Sequence, residues 1–199
     1  MKYSVFTLLA SCLLFTACKD NVSEQATPAG AKGSIPPQVE FFPVPDYIGG
    51  ELKMIDSLQL PLSKSVTVNN TTRSAIATDS ELRYWARNFQ EPDISDPALK
   101  NSYTETSIAD QSAPSVTLIY TTSDHALPVQ KINVYIKPSS EQNDKVTGIY
   151  MEKIYTLNDT LYNQQLYWKS GKNLQVTTEK KIHGNALPVE KVKITWDPS

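Results

Sequence analysis

The segment KINVYIK at Lys131–Lys137 indicates the fold class, because apolar and polar side chains alternate along its whole length. The segment KVKITWD at Lys191–Asp197 alternates in the same way. A two-residue period predicts strands that bury one face and wet the other, as in an antiparallel sheet. We therefore expect both segments to be strands of such a sheet.

The two segments belong to a longer repeat. Ala126–Ser139 aligns with Ala186–Ser199 at an offset of 60 residues, and seven of the fourteen positions are identical. Each copy follows a Thr-rich segment and a polar turn that contains one histidine, His125 or His183. The repeat predicts one hairpin built twice, through either an ancestral duplication or convergent turn chemistry.

Turn signals predict further strands both before and after Ala126–Ser139, the first copy of the repeat. Asn158-Asp159 separates two strand-like segments, Gly148–Thr156 and Thr160–Lys169, and Asn69-Asn70 separates a smaller pair. Asparagine and aspartate tolerate the positive φ of tight turns, so each dipeptide predicts a hairpin. With a further strand around Val116–Tyr120, the sequence predicts about seven strands.

Helical periodicity is confined to the N-terminal half. Thr78 and Glu81 form a capping box, and an apolar stripe with helical spacing follows them: Leu82, Trp85, Ala86 and Phe89. Asp46 is expected to cap an earlier helix, whose apolar face is Ile48, Leu52, Ile55 and Leu58. We predict an α+β domain with two short N-terminal helices packed on a mostly antiparallel sheet. A curved sheet, as in lipoproteins that carry apolar ligands, is one form it could take.

The N-terminus has the features of a lipoprotein leader. Lys2 is followed by an uncharged apolar run that is too short to span a bilayer, and Phe15–Cys18 places small residues before a cysteine. We predict that residues 1–17 are a signal peptide and that Cys18 carries lipid. A cleaved secretory peptide or an uncleaved anchor is the alternative.

Composition agrees with an anchored domain. Residues 18–37 are rich in Ala, Gly, Pro, Ser and Thr, which predicts a flexible tether before a single domain at residues 38–199. The chain has two cysteines, so none would be free after cleavage and lipidation of Cys18. Loss of Lys2 leaves 18 basic against 21 acidic residues, a net charge of −3, which offers no electrostatic reason to bind nucleic acid.

The sequence contains little catalytic chemistry. It has no G-x-S-x-G elbow, no H-E-x-x-H motif and no glycine-rich phosphate loop. His125 and His183 could join a carboxylate in binding a metal if the two hairpins were adjacent, but exposed turn histidines are the simpler interpretation. We expect no cofactor and no metal.

Two aromatic groups could form a ligand surface, although core packing explains them more simply. The first is Tyr84, Trp85 and Phe89 on the second helix. The second lies on two neighbouring strands and comprises Tyr150, Tyr155, Tyr162, Tyr167 and Trp168. Packing of helix on sheet and across strands favours such residues without any ligand.

Two tripeptides resemble the O-glycosylation acceptor of Bacteroidetes, which is Asp, then Ser or Thr, then an apolar residue. Thr160 is the better candidate, because Asp159-Thr160 lies at a predicted turn. Ser57 follows Asp56 on a predicted helix, where we expect it to be hidden.

The chain resembles uncharacterised lipoproteins of Bacteroidetes. The shared features are the lipobox at Phe15–Cys18, Tyr47–Gly50, Ile55–Leu62 and Val134–Pro138. Lys19-Asp20 partly resembles their export signal for the outer face of the outer membrane. The resemblance implies an outer-membrane lipoprotein, with surface display as one topology, and it implies no known activity. We expect a non-catalytic binding or assembly role with a protein, glycan or lipid partner; the alternative is an envelope hydrolase or carbohydrate-active enzyme with a dispersed site.

Overall fold

A computed structural model describes residues 40–110, 112–139 and 144–196. The predicted leader and the predicted tether, including Cys18, therefore lie outside the described residues. The helices are α1 (Val44–Ser57), α2 (Asp79–Gln90) and α3 (Pro97–Lys100). The strands are β1 (Ser63–Val68), β2 (Thr71–Ile76), β3 (Thr104–Asp110), β4 (Ser115–Thr121), β5 (Val129–Lys137), β6 (Lys145–Leu157), β7 (Thr160–Lys169), β8 (Asn173–Ile182), β9 (Asn185–Ala186) and β10 (Glu190–Thr195).

All ten strands belong to one antiparallel sheet. Its order is β2-β1-β10-β8-β7-β6-β5-β4-β3, and β9 pairs with β8 beside this path. The sheet does not close, because β2 and β3 form its two edges. The prediction of a mostly antiparallel sheet with few helices is confirmed.

The predicted count of about seven strands is wrong, because the sheet has ten. The edge strand β3 has the sequence TETSIAD, and most of its residues are exposed on both faces. Such a strand has no apolar alternation for a sequence pattern to detect. The two-residue β9 is too short for any period, and the four-residue α3, capped by Asp96, is a third helix that the sequence pattern missed.

The helix starts follow from capping chemistry. The predicted capping box of α2 is present, since the Thr78 hydroxyl accepts from the Glu81 amide and the Glu81 side chain accepts from the Thr78 amide. Helix α1 begins at Val44 with Pro43 as N-cap and without a side-chain cap, so the predicted N-cap, Asp46, is wrong by three residues. Asp46 therefore lies within the first turn, where a carboxylate favours the positive end of the helix dipole.

The helices cover one face of the sheet, here called the covered face. Phe89 of α2 packs edge-on against Trp168 of β7, with ring centroids 5.5 Å apart. The core also contains the inward residues of the central strands, including Ile132, Val134, Ile149, Met151, Leu166, Leu174, Val176 and Ile194. The opposite face of the sheet is called the open face.

Both copies of the repeat form the return strand of an antiparallel hairpin. The first copy supplies β5, which pairs with β4, and the second copy supplies β10, which pairs with β8. The connections differ, because the second one contains β9, which also pairs with β8. The equivalent inward residues are buried in both copies: Ile132 and Val134 in β5, Val192 and Ile194 in β10. The hairpins are not adjacent, because β6 and β7 lie between them.

Candidate functional site

The histidines lie apart from one another in the fold. His125 lies in the exposed β4–β5 turn, with Nδ1 3.3 Å from Gln130 Oε1, and His183 lies in the exposed turn after β8. Among the described residues, no group of three or more His, Cys, Asp or Glu side chains could hold a metal ion. The hairpins that carry the two histidines are separated by two strands, so they supply no shared site.

The structure places both glycosylation tripeptides at the surface. Thr160 is the first residue of β7, partly exposed beside the Asn158-Asp159 turn, and its hydroxyl donates to the Asn158 carbonyl at 3.4 Å. Ser57 ends α1 and is exposed, so the expectation that it is hidden is wrong. Its position at the last turn of the helix explains the difference, since the buried stripe of α1 lies on another side.

The strand alternation divides the aromatic residues of β6 and β7 into three environments. Trp168 is fully buried in the core, as packing predicted. Tyr150 and Tyr167 pair across the strands on the open face. Tyr155 and Tyr162 pair on the covered face, four residues beyond the buried Met151 and Leu166, where the helices no longer cover the sheet fully.

A groove lies between α2 and these uncovered strand ends, and it is our candidate site. Its volume is about 270 Å³. Helix α2 contributes Tyr84, Trp85 and Asn88, and the sheet contributes Tyr155, Leu157, Tyr162, Gln164, Thr178, Lys180 and Glu190. Tyr84 is 64 % exposed, which makes it the most accessible ring of the set. We refer to this site as the aromatic groove.

A stacked tyrosine pair forms one wall of the aromatic groove. The rings of Tyr155 and Tyr162 lie 5.0 Å apart and are nearly parallel, at 6°. The Lys180 ammonium lies 5.8 Å from the centroid of the Tyr162 ring, within range of a cation–π interaction. Burial raises the pKa of Tyr155, and the neighbouring hydroxyls of Tyr162 and Tyr84 raise it further. Tyr155 therefore presents a neutral aromatic ring at physiological pH.

Polar groups line the bottom of the aromatic groove. The Tyr155 hydroxyl donates to Gln164 Oε1 at 3.3 Å, and Gln164 Nε2 donates to the Thr178 hydroxyl at 3.2 Å. Both Gln164 and Thr178 are buried although they are polar. Beside them, Lys180 Nζ lies 3.7 Å from a Glu190 carboxylate oxygen. The groove thus combines flat rings with fixed amide, hydroxyl and charged groups.

A second recess adjoins the aromatic groove and shares Tyr84 and Asn88 with it. This recess has a volume of about 200 Å³ and is also lined by Arg87, Glu91 and Lys153. Lys153 is 7 % exposed, and its ammonium donates to the main-chain carbonyls of Asn88 and Glu91 at 3.1 and 2.6 Å. Burial lowers the pKa of Lys153 to about 8, against a smaller opposing effect of Glu91. Lys153 thus ties the end of α2 to the sheet beside the groove.

One carboxyl group, that of Glu190, lines the aromatic groove, and it lies beside the Lys180 ammonium. A general acid of the glycosidase type needs a carboxyl group whose pKa is raised. Hydrogen bonds lower the pKa values of Glu81 and Asp110, and neither residue lines the groove.

A hollow of about 490 Å³ lies beside the start of α1, where Asp144 contributes to its lining. The polar groups around it are already engaged with one another. The Tyr47 hydroxyl donates to Ser170 Oγ at 2.7 Å, and a Glu51 oxygen accepts from the Gly171 amide at 2.7 Å. The hollow differs from the aromatic groove in its rings, since Phe42 and Tyr47 line it whereas four aromatic side chains line the groove.

Comparison of the chain with protein-family models, with curated proteins and with solved structures finds no match. In the part of the chain that the structure describes, no helix has both the length and the apolar character needed to cross a membrane. The function is therefore inferred from the geometry of the site.

The polar groups of the aromatic groove are visible in the sequence as polar residues at strand positions that should face the core. Lys153, Gln164 and Thr178 occupy inward positions of their strands, where a purely structural core would carry apolar residues. Polar residues in such positions need partners, and here they line the groove and recess. The approach of Tyr84 and Trp85 to Tyr155 had no local signal, because it depends on how α2 lies on the sheet.

Proposed function

We propose that this chain is a lipid-anchored protein of the outer membrane that binds a ligand without catalysis, and that the aromatic groove is its binding site. The observation that carries the proposal is the groove itself, in which aromatic rings from α2, β6 and β7 surround a buried Gln164–Thr178 pair. Ligand sites commonly join apolar walls to a few fixed polar groups in this way.

Among protein, glycan and lipid ligands, a glycan fits the groove best. A sugar ring has apolar C–H faces that suit aromatic side chains and hydroxyl groups that suit amides, carboxylates and ammonium groups. A fatty acyl chain has no groups that could hydrogen-bond to the amide, ammonium and carboxylate groups of Gln164, Lys180 and Glu190. A curved sheet around an apolar ligand, which the sequence left open, is less well supported because the groove is so polar.

The envelope hydrolase remains the second candidate function. Glu190 is the carboxylate inside the groove, but it lies beside Lys180 rather than opposite a second carboxylate. Glycosidases place two carboxyl groups on opposite sides of the scissile bond. Release of reducing sugar from any bound oligosaccharide, lost in Glu190→Gln, would favour the hydrolase over our proposal.

Calorimetric titration of the detergent-solubilised protein with neutral malto-, cello-, xylo- and chito-oligosaccharides tests the binding claim. We expect at least one series to bind, and Tyr84→Ala to weaken that binding about tenfold, as loss of an aromatic contact does. Ile108→Ala is the matched control, since Ile108 is 59 % exposed on the edge strand β3 and should have no effect. Unchanged binding by Tyr84→Ala, or binding of fatty acids in place of every sugar, would contradict the proposal.

A separate experiment tests the anchor. We expect the wild-type chain, expressed in a bacterium with the lipoprotein pathway, to incorporate labelled palmitate and to enter the detergent phase of a Triton X-114 extraction. Cys18→Ser should lose both properties, while Cys12→Ser should keep them because Cys12 lies in the predicted leader. Labelling that survives Cys18→Ser would refute the lipidation site.

A further inference from the structure

The open face of the sheet is strongly basic, although the chain as a whole has a net charge of −2. The strand registers place seven lysines on this face: Lys131, Lys137, Lys145, Lys169, Lys181, Lys191 and Lys193. They place three acidic residues there: Asp110, Glu152 and Glu179. Seven positive against three negative charges leave an excess of four positive charges.

Few of these positive charges are neutralised by neighbours. Ion pairs between described residues lie on the helices or the covered face: Lys64–Glu81, Arg83–Asp56, Arg83–Asp79 and Lys180–Glu190. The open-face lysines form no ion pair with another described residue. Unpaired charges of one sign on one surface create a potential that attracts ligands of the opposite sign.

Aromatic side chains occupy the middle of the basic face. Tyr150 and Tyr167 pair directly across β6 and β7, and Tyr135 pairs with Gly148 on the next strand. A Cβ atom on Gly148 would lie 3.2 Å from the Tyr167 hydroxyl and 3.5 Å from a carbon of that ring. The missing side chain therefore makes room for the Tyr167 ring to lie over β6. The three tyrosines form a platform with lysines around it, which we call the tyrosine platform.

We infer that the open face is a second binding surface, and that its ligand is an acidic polysaccharide. Sugar rings would stack on the tyrosine platform, and carboxylate groups of the polymer would approach the surrounding lysines. Amide and hydroxyl groups between them, such as Gln165, Gln175 and Thr177, can bond to sugar hydroxyls. This surface lies on the opposite side of the sheet from the aromatic groove and does not depend on the ligand of the groove.

Two other anionic partners fit the surface less well. Nucleic-acid sites favour arginine, whose fork matches phosphate, but all seven basic residues of this face are lysines and Arg73 lies on the covered face. A lipid surface favours large apolar residues that insert between head groups. The middle of the open face carries partly exposed tyrosines and amides instead.

Binding of polygalacturonate tests the inference, measured by calorimetry on full-length protein with Cys18→Ser, so that no attached lipid affects the result. We expect binding that weakens as salt screens the lysines. Lys191→Gln with Lys193→Gln should weaken it about tenfold, on the basis that each lysine near a charged surface contributes about a tenfold factor or less. Lys53→Gln with Lys100→Gln removes the same charge elsewhere and should have little effect. Lys191→Arg with Lys193→Arg keeps both positive charges and should retain binding. This variant distinguishes an effect of charge from an effect of a disturbed fold.

Several results would overturn the inference. They are no binding of polygalacturonate, equal weakening by the two double variants, or tighter binding of either single-stranded DNA or phosphatidylglycerol vesicles than of the polysaccharide. Tyr84→Ala should leave polygalacturonate binding unchanged, because Tyr84 lies in the aromatic groove. A failure of the groove proposal and a failure of this one are therefore distinguishable.

Discussion

Lys153 on β6 donates from Nζ to the main-chain carbonyl oxygen of Glu91 at 2.6 Å, just beyond the C-terminal end of α2. The last carbonyls of a helix lack partners within the helix, so a buried donor from the sheet satisfies them. Through this bond and a second one to the Asn88 carbonyl, the sheet holds the helix end that forms one side of the aromatic groove. Lys153 therefore contributes both to the stability of the fold and to the shape of the groove.

We predict that the contribution of Lys153 to the free energy of unfolding depends on pH. Burial lowers its pKa from 10.5 to about 8, so between these values the unfolded chain binds a proton that the native chain does not. The free energy of unfolding attributable to Lys153 should therefore rise with pH across this range, by about 2 kcal/mol. Urea unfolding of wild type and Lys153→Met at pH 7 and pH 10 measures the change, and the variant cancels the effect of tyrosine ionisation. A difference between the two proteins that stays constant with pH would contradict this prediction.

Gln164 and Thr178 should show a coupled effect on stability. Thr178→Val leaves the buried Gln164 amide without its acceptor at 3.2 Å, and we expect a loss of about 1–2 kcal/mol. Gln164→Leu should cost a similar amount. The double variant should cost less than the sum, because both partners are then apolar. Chemical denaturation of the four proteins gives the coupling free energy, and strict additivity would show that the hydrogen bond does not form.

Gly148→Ala should destabilise the fold and disturb the tyrosine platform. The new Cβ atom would lie 2.9 Å from the Trp168 carbonyl oxygen, which is main chain and cannot move away easily. We expect a loss of about 1–3 kcal/mol, the usual cost of overpacking. Thermal unfolding measures the loss, and an unchanged melting temperature would mean that the β6–β7 spacing differs from the one described.

Gly50→Ala, at another glycine, should stabilise the fold. Gly50 lies within α1, and a Cβ atom placed there meets nothing within 4 Å. Alanine favours the helix by about 0.5–1 kcal/mol over glycine. The melting temperature should rise, and a fall would indicate that α1 packs against something at this position.

Local patterns predicted much of the fold. The alternation around Val134 and Ile194 identified buried strand faces, and the capping box at Thr78 identified the start of α2. Positive φ angles at Asn69 and Asn158 agree with the predicted hairpin turns. These features depend on residues close together in the chain, so the sequence displays them directly.

The candidate site could not be predicted in the same way, because its parts are distant in sequence. Tyr84 and Tyr155 line the same groove only because α2 packs on the sheet, and no local pattern specifies that packing. The basic face could not be predicted for a different reason. The net charge of the chain sums over both faces of the sheet, so it does not show that residues two apart in a strand, such as Lys191 and Lys193, lie on the same face.

Fluorescence of Trp85 is the sharpest test of the aromatic groove as a binding site, because it reports binding and its location together. Of the three tryptophans, Trp168 and Trp196 are fully buried, whereas Trp85 is partly exposed and lines the aromatic groove. Titration with the oligosaccharide that binds in calorimetry should change the emission with the same affinity, and Trp85→Phe should abolish the change while Tyr84→Ala shifts the midpoint. An emission that stays constant through saturation, or a change that persists in Trp85→Phe, would place the ligand elsewhere and contradict the account.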